Sequence, residues 1–190
     1  MTVPTGIPLQ DGVYFEAFLP LGWTPVSFPI PSFTLEEWMQ TNVTLLRALA
    51  TMEALPIDKE NEPGSSSAKA IDRLEAKVDL SLALLAKLLA RDTHFPQRAP
   101  ARLFANKMEW ISQEGPEQGA RVALTLFLSH KIPQALVLPA NVTKSEKQPD
   151  GLHICATFAQ LSEEMQDWLE RTVFRYHRRS IQLSHAGKQS

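Results

Sequence analysis

The chain has 190 residues, of which 44% are hydrophobic and 21% are charged, and its formal net charge is -2. This is the composition of a globular protein with room for one domain and an appendage. A nearly neutral charge argues against broad electrostatic capture of nucleic acid or of an anionic membrane. No apolar stretch approaches the roughly 20 residues that cross a bilayer. The N-terminus lacks the basic start of a secretory signal, and a single cysteine cannot form an internal disulfide, so we expect a cytoplasmic protein.

Residues 1–33 are predicted to contain one strand followed by a linker. The letters VYFEAFL are rich in aromatic and apolar residues that favour a strand. Prolines then recur from Pro20 to Pro31, and this pattern favours an irregular connection.

Residues 34–92 are predicted to form a helical hairpin. Thr34 followed by Glu37 has the pattern of a helix-capping box, and residues 56–67 are rich in the residues that break helices. Apolar residues recur at heptad spacing in both helices, with Asn42 at one interior position, where a buried polar residue fixes register at some cost in stability. The predicted seam residues are Leu35, Trp38, Asn42, Leu45, Leu49, Ile71, Leu74, Val78, Leu82, Leu85, Leu88 and Leu89.

The second of these helices is apolar around most of its circumference. Leu80, Leu84 and Leu88 form a stripe beside the heptad seam. One partner helix covers only one stripe, so a hairpin alone would leave the other in water. We therefore predict a homo-oligomer in which helices from several chains form a bundle; the alternative is that the hairpin packs on its own β-domain.

In residues 93–190 the apolar period changes from heptad to alternating. Strands are predicted at 108–111, 120–128, 135–142 and 152–158, separated by short turns that contain Gly115, Gly119 and Gly151. Short strands without intervening helices favour antiparallel pairing in a small barrel. A last helix, capped by Ser162, completes an α+β fold: a small antiparallel β-barrel, a C-terminal helix and a long helical hairpin used for oligomerisation.

Two segments carry a family resemblance. The closing phrase FAQLSEEMQDWLERTVFRYHRR resembles the PilZ domain family of cyclic di-GMP receptors. The phrase RLEAKVDLSLALLAKLLAR resembles the atypical, tetramer-forming branch of that family. The resemblance implies a barrel of antiparallel strands, a C-terminal helix and four chains assembled through the long helices.

PilZ domains bind cyclic di-GMP through an R-x-x-x-R motif and a D/N-x-S-x-x-G motif. Arginine forks grip phosphates, and the second motif shapes a turn that receives the base. Arg98 and Arg102 have the spacing of the first motif. Counting back from Gly119 places the second motif at Arg102, Phe104 and Lys107, where all three family residues are substituted. We therefore expect cyclic di-GMP binding in the usual mode to be weak or absent.

Other chemistry is sparse. His153 and Cys155 alternate on one strand but are only two ligands, fewer than a zinc site needs, so a solvent-facing strand edge is expected. The basic residues near the C-terminus either complement the negative end of the last helix or contact an anion or an acidic partner. The candidate residues for contact with an anion or a partner are Arg175, Arg178 and Arg179 of this helix, together with Arg98.

These patterns predict a protein without a catalytic site, metal or cofactor that acts by self-association, with a tetramer expected, and by binding an unidentified protein. The alternative is a cyclic di-GMP receptor that uses Arg98 and Arg102 in an altered geometry.

Overall fold

The computed structural model of the protein describes residues 12–53, 95–129 and 132–186, and seven positions between the first two ranges: 74, 77, 78, 81, 84, 85 and 88. Within these residues the chain forms a closed antiparallel barrel in the order β1-β2-β3-β6-β5-β4. The strands are β1 (Tyr14–Pro25), β2 (Arg98–Phe104), β3 (Lys107–Ser112), β4 (Arg121–Leu126), β5 (Leu136–Gln148) and β6 (Gly151–Phe158). The two helices with defined bounds are α1 (Ser32–Glu53) and α2 (Glu163–Ala186). The predicted fold class is confirmed.

The first strand closes the barrel. The first half of β1 pairs with β2, and its second half pairs with β4. The sequence pattern predicts that residues 1–33 form a unit separate from the β-domain. The structure corrects this assignment, because the barrel combines residues 14–25 with residues 98–158. Residues 34–92, called the helical segment below, lie in the sequence between β1 and β2, which are neighbouring strands of that barrel. β2 is not among the predicted strands, because its small residues give only a weak strand signal.

Alternate residues of each strand fill the barrel. The side chains of Leu103, Met108, Val122, Leu124 and Leu138 are fully buried. Successive side chains of a strand point to opposite faces of the sheet, so the residues between these buried ones lie on the outer face of the barrel. On this outer face lie the charged residues of β1, β2 and β3.

The C-terminal helix α2 lies against the barrel and α1. Its backbone begins as predicted, with the Met165 amide donating a hydrogen bond to the Ser162 hydroxyl at 3.1 Å. Glu163 and Glu164 lie in the first turn, where the helix dipole favours negative charge. Met165, Leu169 and Val173 are buried on the face towards the core.

The helix α1 packs on its own barrel. It begins at Ser32, directly after Pro31, so Thr34 and Glu37 lie inside the helix instead of at its start. Its packing partners are α2 and β5. The alternative considered from the sequence, that the hairpin packs on its own β-domain, therefore holds for this helix.

The seven described positions between 74 and 88 are all helical and all exposed. They include Leu74, Val78, Leu85 and Leu88, with exposed fractions of 63%, 49%, 54% and 56%. The predicted loop at 56–67 and the predicted seam residues Ile71, Leu82 and Leu89 lie outside the described residues.

Candidate ligand site on the outer face of the barrel

A row of charged side chains crosses the outer face of three strands. The register places Glu16 of β1 opposite Arg102 of β2, and Arg102 opposite Glu109 of β3. Facing pairs on antiparallel strands have Cβ atoms about 5 Å apart, close enough for opposite charges to interact. The positively charged arginine therefore lies between two carboxylates.

Arg102 is held on several sides. Its Nε donates to Oε2 of Glu16 at 3.1 Å, and its guanidinium lies 5.1 Å from the centre of the Tyr14 ring. Only 5% of the residue is exposed. A buried arginine with an ion pair and an aromatic partner stabilises the fold, and a ligand could bind it only after breaking those contacts.

Phe104 and Lys107 extend this cluster across the β2–β3 turn. Phe104 is buried, with its ring 5.4 Å from that of Tyr14. The Lys107 ammonium lies 4.4 Å from the Phe104 ring centre and donates to Oε1 of Glu109 at 2.8 Å. The three substituted motif positions are thus brought together, and each is packed against other residues of the same chain.

Glu109 is the most deeply buried acid of the cluster. The residue is 6% exposed, and its Oε2 atom has no hydrogen-bond partner among the described residues. A buried carboxylate oxygen normally finds a donor; here Lys107 bonds the other oxygen, Oε1, and Arg102 faces the residue across the strands, so two cations lie beside this carboxyl group.

The two arginines of the R-x-x-x-R spacing do not converge. Arg98 is exposed at the start of β2, whereas Arg102 is buried four residues later. Four residues of strand span about 13 Å of backbone, and Arg102 is already paired with Glu16, so the two arginines differ in both exposure and partners. Arg98 instead lines an open groove of about 670 Å³ with Trp23, Glu114 and Asp150.

The basic residues of α2 divide into two groups. Arg175 is half-buried, with its guanidinium 5.4 Å from the Tyr176 ring centre, whereas Arg178 and Arg179 are exposed. Next to them, Nδ1 of His177 is 2.9 Å from the backbone oxygen of Tyr14 and joins α2 to the start of β1.

Sequence reasoning missed Tyr14, Glu16, Glu109 and His177 as members of this region. The alternation in VYFEAFL places Tyr14 and Glu16 on one strand face, which is the only available signal. Their pairing with Arg102 depends on β1 meeting β2, which local sequence does not encode.

His153 lies neither at a strand edge nor in solvent, which corrects the expectation for this residue. The barrel is closed, and His153 is 7% exposed. Its Nε2 is 2.7 Å from Oδ1 of Asp150, and this side-chain hydrogen bond lowers the pKa of Asp150 from its ordinary value. Cys155 is a free, half-buried cysteine. The described residues contain no group of three or more His, Cys, Asp or Glu that could hold a metal ion.

Comparison with known proteins identifies the family. The sequence profile described as "Atypical PilZ domain, cyclic di-GMP receptor" matches residues 46–185, well over half of the chain. The chain belongs to the atypical PilZ family.

A solved structure supports the same assignment. The chain is similar to a pathogenic protein from Xanthomonas campestris, described as a tetrameric PilZ domain self-assembled via a helical bundle. The two share 28% identity with a TM-score of 0.71, over 91% of this chain and 92% of that one. A comparison with curated proteins found no match.

The predicted interface residues of this PilZ chain separate into a buried and an exposed group. Asn42, Leu45 and Leu49 are 0%, 3% and 2% exposed within one chain, so they contact the barrel and α2 and not a second subunit. Their heptad spacing reflects an amphipathic helix on its own domain, which has nearly the same period as a seam. Leu35 and Trp38 are half-buried at the edge of this contact.

No helix among the described residues is long and apolar enough to cross a membrane.

Proposed function

We propose that this PilZ protein is a non-catalytic regulator or scaffold of cyclic di-GMP signalling that works in the cytoplasm through self-association and protein contacts. In this proposal the usual cyclic di-GMP site is lost. Residues 34–92 supply the assembly module, and the barrel with α2 supplies the surface for an unidentified protein partner.

The proposal rests on the contacts that the three residues at the ligand-motif positions already make within the chain. Arg102 is paired with Glu16, Phe104 is buried beside Tyr14, and Lys107 is paired with Glu109. A dinucleotide in the usual mode would need a small turn residue and a hydroxyl, where this chain has a lysine and a phenylalanine. It would also have to separate the Lys107–Glu109 ion pair, whose side chains are 15% and 8% exposed, at a cost of several kcal/mol.

Calorimetric titration with cyclic di-GMP tests the loss of the site. We expect no saturable heat at ligand concentrations up to about 100 µM, equivalent to a binding free energy weaker than about 5.5 kcal/mol. Binding in the low micromolar range would refute the proposal. A triple variant, R102D/F104S/K107G, restores the family residue types, and circular dichroism would establish that it remains folded. Binding gained by this variant but not by the parent would assign the loss to these three positions.

The alternative function is a receptor that binds cyclic di-GMP in an altered geometry. Arg98, with Arg178 and Arg179, is exposed and able to meet an anion, which favours this alternative. The burial of Arg102 and its ion pair with Glu16 oppose it. If titration shows binding, R98Q and R102Q should each abolish it; binding unaffected by both would reject this site.

Self-association is supported by exposed apolar side chains on the helical segment. Leu74, Val78, Leu85 and Leu88 are each about half exposed or more in one chain, at heptad positions. Burial of a leucine side chain is favourable by about 1.5–3 kcal/mol, so a second subunit that covers this stripe would be strongly stabilised. The tetrameric relative assembles through a helical bundle. Light scattering at about 10 µM should give the mass of a tetramer, and a monomer would contradict the proposal.

A further inference from the structure

The C-terminal helix α2 carries a stripe of exposed side chains. Its residues recur at intervals of four, three, four, four and three, which places them on one helix face. They are Glu163, Asp167, Glu170, Phe174, Arg178 and Ile181. All six are exposed, and Phe174 and Ile181 are 52% and 43% exposed. This set is called the α2 stripe below.

The charges of α2 are separated along its length. From residue 163 to 170 every charged side chain is acidic, and from residue 171 to 186 every one is arginine. The helix dipole accounts for Glu163 and Glu164 in the first turn. It does not account for Asp167 and Glu170, nor for Arg171 in mid-helix, because the dipole effect falls off within one turn of the end.

Phe174 lies at the middle of the helix, between the two charge blocks. Four residues before it stands Glu170, and four residues after it stands Arg178, each about 6 Å along the axis from Phe174. A two-fold axis through Phe174 would therefore place Glu170 of one copy opposite Arg178 of the other, twice. The aromatic rings of the two copies would meet between these pairs.

We propose that the α2 stripe is a self-complementary docking surface that pairs two copies of this chain through antiparallel α2 helices. Asp167 is already bonded to Arg171 of the same helix at 3.0 Å. Glu170 and Arg178, in contrast, have no ion-pair partner among the residues that the structure describes. They are the charges available to a second copy.

The surroundings of the stripe fit an inserted aromatic ring. A groove of about 930 Å³ runs between α2 and the β2–β3 turn, and Phe174, Val13 and Phe104 contribute to its walls. Val13 and Phe174 are 45% and 52% exposed, whereas Phe104 is buried, so the first two present the apolar surface that is open to solvent in one chain. Pairing of two α2 helices would cover it.

A second copy fits the charge pattern better than another partner does. An acidic protein or an anionic surface would meet the basic half of α2 but would be repelled by Glu163, Asp167 and Glu170. A basic partner would be attracted by the acidic half of α2 but repelled by Arg171 and Arg178. Only a partner with the reversed order of charge satisfies both halves, and an antiparallel copy has that order.

This interface is distinct from the helical segment, and its existence does not depend on the tetramer. One helix pair is at the small end of interface sizes, so we expect a dissociation constant on the order of 100 µM. At about 10 µM the stripe would be unpaired, and at about 500 µM it would join tetramers into larger assemblies.

Sedimentation velocity of the full chain with charge-reversal variants tests the proposal. In the L85D background, which removes the helical seam, we expect monomers at about 10 µM and dimers at about 500 µM. E170R and R178E should each weaken this dimerisation at least tenfold, because each places like charges opposite each other. The double variant E170R/R178E restores opposite charges and should return to within about threefold of the L85D parent. E117R, a charge reversal on an exposed loop, is the matched control.

Three outcomes would overturn the proposal: a parent that does not dimerise at 500 µM, single reversals without effect, or a double variant as weak as the singles. Disulfide trapping gives a second readout that does not depend on affinity. In the C155S background, F174C should form an interchain disulfide on oxidation, whereas R179C, exposed on another face of α2, should not. Failure of F174C to cross-link would count equally against the pairing. The tetramer is measured at about 10 µM with Leu85 intact, whereas the α2 pairing is measured at about 500 µM in the L85D background. Failure of the proposed tetramer and failure of the proposed α2 pairing are therefore distinguished.

Discussion

Asn42 of α1 forms two hydrogen bonds with the backbone of Val137 in β5. Its Nδ2 donates to the Val137 oxygen at 2.7 Å, and its Oδ1 accepts from the Val137 amide at 2.9 Å. β6 pairs with β5 only from Ala140 onwards, so at Val137 the side-chain amide occupies the place of a neighbouring strand. The asparagine that sequence alone assigned to a subunit seam instead attaches a helix to the barrel.

Replacing Asn42 should destabilise the protein strongly. N42A leaves the amide and carbonyl of Val137 without partners in a site closed to water, which costs about 2–4 kcal/mol. Chemical denaturation at fixed protein concentration measures this change. Q40A, at an exposed position on the same helix, should change stability by less than about 0.5 kcal/mol. An N42A variant as stable as Q40A would show that these bonds contribute little.

Two turn glycines should respond differently to alanine. Gly151 has φ +142°, and an added methyl group would lie 2.9 Å from Cγ2 of Ile111 and 3.0 Å from the Ser112 oxygen. Gly119 has φ +85° but no atom within 4 Å of such a methyl group. G119A therefore incurs only backbone strain, about 1 kcal/mol, whereas G151A adds a steric clash and should cost at least about 2 kcal/mol. Thermal unfolding of both variants compares them directly, and equal losses would contradict this reading.

The pair Asp150–His153 should make an acid-dependent contribution to stability. The hydrogen bond from His153 lowers the pKa of Asp150 below its ordinary value of 3.8. A lowered pKa means that the contribution is fully present above that value and is lost as the pH falls through the folded-state pKa. Titration of the Asp150 carboxyl by NMR should give a midpoint below 3.8, and H153A, which removes the donor, should raise it. A midpoint at or above 3.8 in the parent would contradict the assignment.

The exposed stripe of the helical segment should control assembly at low concentration. L85D places a charge in the proposed seam, where an unpaired buried charge costs several kcal/mol, so the tetramer should dissociate at about 10 µM. V78D should act in the same way. Q113D adds the same charge on an exposed loop of the barrel and should leave the mass unchanged. Light scattering of the three variants checks this, and tetramers retained by both seam variants would place the interface elsewhere.

Local patterns were sufficient to predict much of this fold. Four strands follow from alternating residues such as Val122, Leu124 and Leu126, and α2 follows from its cap at Ser162 and its apolar face. These signals lie within a few residues of one another, so a single segment carries them. The barrel and the C-terminal helix were predictable for this reason.

Long-range pairings were not predictable in the same way. Glu16 and Arg102 are 86 residues apart, and Asn42 and Val137 are 95 apart. No local pattern indicates that these residues meet. Heptad spacing also could not tell a helix that packs on its own barrel from one that packs on another subunit, because the two periods differ by only 0.1 residue per turn. For that reason the predicted seam included Asn42, Leu45 and Leu49, which are buried within one chain.

The insertion of the helical segment between β1 and β2 affects the order in which the chain can fold. During synthesis from the N-terminus, β1 emerges first, but both strands that flank it in the barrel emerge only after the whole insertion. Contacts of such large sequence separation form slowly, whereas helical turns form from neighbouring residues. Turns of α1 can therefore form on the ribosome while β1 still lacks its neighbours, and barrel closure becomes one of the last steps in the maturation of each subunit.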